Sequence, residues 1–224
     1  MVKLCVFDMD GLLLDSERYL YLNTELEISK KLGFPLSEEF FKSLMGGSWD
    51  VYPDRIVEHA GKDFPIEEYM NLLFKRIDEI VDYETIPLRP GAIEMLNYCR
   101  QNNIKMAIAT STLKDTALKC LKNCGIYDYF DYIVTGDMVE KGKPDPEIFL
   151  KAIKHFNIDI QDALVFEDGH NGSLAAANGN CRLVIVEDLA YISKQDKEYA
   201  EVNLDSLMDA IDYIRRENET TSSI

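Results

Sequence analysis

The stretch Lys3-Leu4-Cys5-Val6-Phe7-Asp8-Met9-Asp10-Gly11-Leu12-Leu13-Leu14-Asp15-Ser16-Glu17 decides how the chain is read. Leu4 to Phe7 form a short, continuous apolar run, the pattern of a buried strand. Two carboxylates directly at its end, Asp8 and Asp10, need a cation, a cluster of donors or a substrate to compensate their charge. Side chains two apart on an extended chain point the same way. At about 3.3 Å rise per residue, the two carboxylates lie within roughly 7 Å of each other. Gly11 then releases the backbone into a turn. The alternative is a pair of loop aspartates that cap the next helix.

Working outward, the 224 residues suffice for one large domain or two small ones. A formal net charge of -16 disfavours nucleic acid and anionic membranes as partners. It also repels anionic substrates at long range, so a phosphate site needs local positive charge or a metal. No basic segment leads a long apolar stretch, and no run approaches the roughly 18 apolar residues of a membrane helix. The five cysteines are scattered, with no zinc-ligand spacing, and read as reduced structural thiols of a cytoplasmic protein.

Residues 16–82 read as wholly helical. Ser16 is the expected cap of a first helix and Ser37 of a second, with Pro53 and Pro65 at further helix starts. From about residue 87, helices alternate with short apolar strands at 105–109, 132–135, 163–166 and 183–186. Leu204, Leu207, Ile211 and Ile214 give a last amphipathic helix. This alternation implies a parallel sheet covered on both faces. Ligands of such sheets bind beyond the carboxyl ends of the strands.

The residues at those ends make joint chemical sense. Asp8 and Asp10 follow the first strand, and Thr110-Ser111-Thr112 the second. Gly142-Lys143-Pro144 lies beyond the third, and Glu167-Asp168-Gly169-His170 follows the fourth. Singly, Thr110 reads as a strand residue, Lys143 as a solvated loop lysine, Glu167 and Asp168 as helix caps, and His170 as a polar loop residue. Together they bring four carboxylates, a hydroxyl cluster at a helix start and a lysine to one place. Mg²⁺ with oxygen ligands resolves the repulsion. The hydroxyls, free N–H groups near Thr112 and Lys143 suit an anion, and the whole suits a phosphoryl group.

At this point the chain resembles the haloacid dehalogenase superfamily, specifically its β-phosphoglucomutase-like phosphatases. Asp8 to Glu17 is similar to the family's first motif, Ala109-Thr110-Ser111 to the second, Gly142-Lys143-Pro144 to the third and Phe166-Glu167-Asp168 to the fourth. The residues alone do not separate nucleophile from acid; the resemblance does. It implies that Asp8 becomes an aspartyl-phosphate and that Asp10 is the general acid-base. Thr110, Ser111 and Lys143 would bind the phosphoryl group. Mg²⁺ would be held by Asp8, the carbonyl of Asp10 and Asp168, with Glu167 beside it or as a further ligand. A helical cap is implied between the first two motifs.

Departures narrow the activity. Asp10 argues against haloalkanoate dehalogenation. Residues 44–50 contain no phosphonatase-type lysine, and Trp49 and Leu20 stand where β-phosphoglucomutases carry Arg and His. Hydrolysis is therefore favoured over a phosphomutase, and the intact motif set argues against a non-catalytic binding protein. Gly46 and Gly47 would let the cap backbone approach the substrate, and Trp49 is either cap packing or a flat wall for it.

The expectation is an α/β, Rossmann-like parallel-sheet core (residues 1–15 and 84–224) with an inserted all-helical cap (16–83). Its expected activity is Mg²⁺-dependent hydrolysis of a small phosphorylated metabolite by a monomer or weak homodimer.

Overall fold

The structure is a computed structural model that describes residues 1–45 and 51–221. Six strands form one sheet: β1 (Leu4–Phe7), β2 (Lys105–Ala109), β3 (Tyr132–Val134), β4 (Ala163–Glu167), β5 (Arg182–Val186) and β6 (Val202–Leu204). Their order is β3-β2-β1-β4-β5-β6, with every pair parallel. The chain thus leaves β1 toward one edge and later returns to build the other. The end of β1 is where the strand order reverses, and a crevice opens there in such sheets.

Alternation along the strands makes two apolar faces. Cys5, Phe7, Ile108 and Phe166 pack with α5 (Ala92–Gln101), α6 (Lys114–Asn123) and α10 (Leu207–Thr221). Leu4, Val6, Ala107 and Val165 pack with α7 (Glu147–His155) and α8 (His170–Asn178). This is the doubly covered parallel sheet that the apolar runs predict.

Between β1 and β2 lie α1 (Asn23–Lys31), α2 (Glu38–Lys42), α3 (Tyr52–Ala60) and α4 (Ile66–Tyr83), after a π-helical segment, Glu17–Leu22. They enclose an apolar cluster of their own, including Leu22, Ile28, Phe41, Ile56, Tyr69 and Leu73. Ile80 and Val81, late in α4, join the sheet cluster instead.

Two local expectations change. Ser16 is already helical (φ -70, ψ -35), a backbone geometry that does not suit a side-chain cap. Its hydroxyl instead accepts from Gly11 N at 3.2 Å. Ser37 is extended and does cap α2, accepting from Phe40 N at 3.1 Å. Leu204 belongs to β6 rather than to the last helix, and α9 (Lys194–Tyr199) precedes that strand. Among the described residues, no helix is long and apolar enough to cross a membrane. Gly46, Gly47 and Trp49 lie outside the described residues.

Candidate active site

Asp8 prolongs β1 by one residue, its N–H donating to Phe166 O at 3.0 Å. Its carboxylate stands at the reversal point, 6% exposed. The Lys143 ammonium lies 2.5 Å from Asp8 Oδ1 and 2.6 Å from Glu167 Oε1. Glu167 Oε2 accepts from Asp168 N and Gly169 N, both at 2.9 Å. Two glycines make room for this cluster. A Cβ on Gly172 would come within 1.6 Å of Glu167 Oε1, and one on Gly11 within 2.1 Å of Asp168 Oδ2.

Asp10 faces a different set of donors. Its Oδ2 accepts from Thr112 Oγ1 at 2.7 Å and from Thr110 Oγ1 at 3.4 Å. The two carboxylates of the opening motif are therefore served separately, Asp8 by an ammonium and Asp10 by hydroxyls. Thr112 was expected at a helix start, but α6 begins at Lys114. Part of the anticipated N–H set is already engaged. Thr112 N donates to Thr110 Oγ1 at 3.0 Å, and Lys114 N to Asp137 Oδ1 at 3.0 Å.

The electrostatics follow from burial. Loss of water pushes the Asp8 carboxyl up to about 7; Lys143 opposes this, while Glu167 and Asp10 add to it. Asp168 is raised well above the carboxylate range by burial first, then by Glu167, Glu17 and Asp8. Burial disfavours the Lys143 ammonium, yet Asp8 and Glu167 outweigh it and hold the proton.

Asp8, Glu167 and Asp168 each offer an oxygen, and these atoms lie within 4.8 Å of one another. One ammonium does not neutralise three buried carboxylates with Asp10 nearby. This donor set is all oxygen and fits a hard divalent cation. Both Glu167 oxygens are already engaged, which leaves Asp8 and Asp168 as the freer carboxylates.

These residues line a cavity of about 310 Å³, with Thr110 and Ser111 on one wall and Tyr21, Glu25, Leu44 and Tyr52 from the helical block on another. His170, expected as a polar loop residue, opens α8 and lines the same cavity, its Nδ1 2.9 Å from the Asp196 carboxylate. Sequence reasoning also passed over Glu17, Glu25 and Tyr52. Glu17 sits inside the quoted motif, and its Oε2 is buried without a hydrogen-bond partner. Burial, then Asp188, pushes its carboxyl up to about 8. Nothing in the sequence around Glu25 marks it as buried.

Residues 2–180 match the haloacid dehalogenase-like hydrolase family. The chain is a haloacid dehalogenase-like hydrolase. The hydrolase is 35% identical over 178 residues to a phosphorylated carbohydrates phosphatase of Thermotoga maritima, covering 76% of this chain and 78% of that protein. It is 34% identical over 203 residues to (DL)-glycerol-3-phosphatase 2 of Arabidopsis thaliana, covering 85% of this chain and 82% of that one. Among solved structures it resembles a β-phosphoglucomutase of Clostridium difficile, with a TM-score of 0.70, 27% identity and both chains covered completely.

Proposed function

We propose that the hydrolase is a Mg²⁺-dependent phosphatase acting on a small phosphate monoester, a sugar phosphate or similar metabolite. The observation that carries this is the Lys143 ammonium held between Asp8 and Glu167, with Asp168 alongside, at the end of the central strand.

Asp8 attacks phosphorus, the bond to the leaving oxygen breaks, and an aspartyl-phosphate forms. Asp10 gives the leaving oxygen its proton, then takes one from the water that hydrolyses the intermediate. Phosphate departs and Asp8 is restored. Lys143 pairs with the phosphoryl oxygens, Thr110 and Ser111 offer them hydroxyls, and Glu167 keeps Lys143 in place. Asp8 and Asp168 would hold the Mg²⁺, with the carbonyl of Asp10 as the family pattern implies. When bound, that ion neutralises charge on the phosphoryl group and between the carboxylates. Residues 16–83 act as a cap that excludes water over the strand ends.

The test is hydrolysis of p-nitrophenyl phosphate. Turnover is expected with Mg²⁺ and is expected to vanish with EDTA. A wild-type protein that releases no phosphate from any ester overturns the reading, and isomerised product without net release supports a mutase instead.

A second expectation concerns stability without metal. The Asp8 carboxyl moves from 3.8 to about 7 on folding and Glu17 from 4.5 to about 8. Between those limits the folded state binds more protons than the unfolded chain, so stability falls as pH rises. In EDTA, Tm should therefore be lower at pH 8 than at pH 5.5. Mg²⁺ should raise it more at pH 8, by binding only the folded state. Thermal scans at both pH values check this; an equal Mg²⁺ effect at both would count against the carboxylate site.

A further inference from the structure

The cavity does not end at the phosphoryl-binding residues. It runs on to a wall of the helical block where Glu25 and Tyr52 stand. Glu25 comes from α1 and is 4% exposed; Tyr52, the first residue of α3, is 8% exposed. The Tyr52 hydroxyl donates to Glu25 Oε1. The Tyr69 hydroxyl, on α4, lies 3.4 Å from that of Tyr52. Three helices thus hold one carboxyl in place. Among the described residues Glu25 Oε2 has no hydrogen-bond partner, although the residue lines the cavity.

A buried carboxyl is costly where a leucine would pack. Tying helices together does not require a charge, and it leaves the second oxygen unused. The charge around it is also one-sided. Glu17 lines the same cavity, its Oε2 unpartnered. Lys143 is the single Lys or Arg among the described lining residues, and Asp8 and Glu167 already engage it. Residues 46–50 read Gly-Gly-Ser-Trp-Asp and add no cation. An anionic group placed here meets carboxyls and no counter-charge, whereas a hydroxyl donor meets an acceptor.

We infer that Glu25, oriented by Tyr52, is a specificity-determining residue that selects leaving groups carrying a hydroxyl and no negative charge. Bisphosphates and phosphorylated acids are turned away; phosphorylated polyols and sugars are accepted. The inference rests on the phosphatase reading and sharpens it. Burial holds the Glu25 carboxyl at about 7, so near neutral pH it is present in both forms, and each form has an oxygen that accepts from a hydroxyl.

The test compares kcat/KM of the Mg²⁺-loaded full chain on four esters: sorbitol 6-phosphate, p-nitrophenyl phosphate, phosphoglycolate and fructose 1,6-bisphosphate. Wild type is expected to prefer sorbitol 6-phosphate to both anionic esters by about tenfold or more. Glu25→Gln and Tyr52→Phe are expected to lower the ratio of sorbitol 6-phosphate to phosphoglycolate by about tenfold, losing more on the polyol than on p-nitrophenyl phosphate. Equal losses on all four esters would mean that the pair only braces the helices, and would overturn the inference. So would a wild-type preference for the anionic esters, a result that needs no variant. Absence of turnover on p-nitrophenyl phosphate overturns the phosphatase reading and this inference with it. Turnover with the wrong order of substrates overturns this inference alone.

Discussion

Asp8→Asn is expected to lower kcat/KM on p-nitrophenyl phosphate by at least about 10³-fold while leaving the protein folded. The amide keeps the shape of the carboxyl but is a poor nucleophile toward phosphorus. It also removes a buried charge that burial already holds near 7. Lys143 keeps Glu167 as a partner at 2.6 Å, so no ammonium is stranded. In EDTA at pH 8, the Tm of the variant should therefore match or exceed that of wild type. Activity and stability move in opposite directions only if Asp8 is kept for chemistry at a cost to the fold. Retained activity would sink the nucleophile assignment, and a large loss of Tm would show that Asp8 is structural.

Lys143→Met is expected to damage both. Its ammonium is nearly enclosed, with 7% of the side chain exposed, between two carboxylates. Methionine fills the space but leaves Asp8 and Glu167 facing each other without compensation. Removing one partner from a buried ion pair costs about 3–5 kcal/mol. At this chain length, 1 kcal/mol corresponds to roughly 2–4 °C in Tm. The deficit in EDTA should shrink at pH 5, where protonation relieves the repulsion, and widen at pH 8. Loss of a preorganised positive group at the phosphoryl oxygens should lower kcat by about 10²–10³-fold. Paired thermal scans and initial rates check both arms. A variant as stable as wild type at pH 8 would contradict the bridge between Asp8 and Glu167.

The parallel sheet was legible because its signal is local. Leu4–Phe7 and residues 163–166 are short apolar runs, and each carries its polar chemistry immediately after the last apolar residue. β6 was not legible. Val202-Asn203-Leu204 is a three-residue edge strand with no apolar run to announce it. The acidic motifs were found, but their pairing was not. Whether Lys143 meets Asp8, Asp10 or both depends on side-chain directions that spacing does not specify. The structure gives it to Asp8 and Glu167, and gives Asp10 to Thr112. The least legible residues were Glu25 and Tyr52. In sequence, a glutamate in Asn-Thr-Glu-Leu-Glu looks like any solvated helical residue, and only the packing of three helices buries it.

The central place of β1 has a kinetic consequence. Its four residues pair with Lys105–Ile108 on one side and Ala163–Phe166 on the other, each pairing closing a loop of about 100 residues or more. Chain entropy must be lost over both loops before the contacts repay it, so topologies of this kind fold slowly. Asp8 meets Glu167 only after β1 pairs with β4, the longer of the two closures. A fragment that ends before β4 lacks Glu167 and Asp168, and in it the Asp8 carboxyl has neither neighbour.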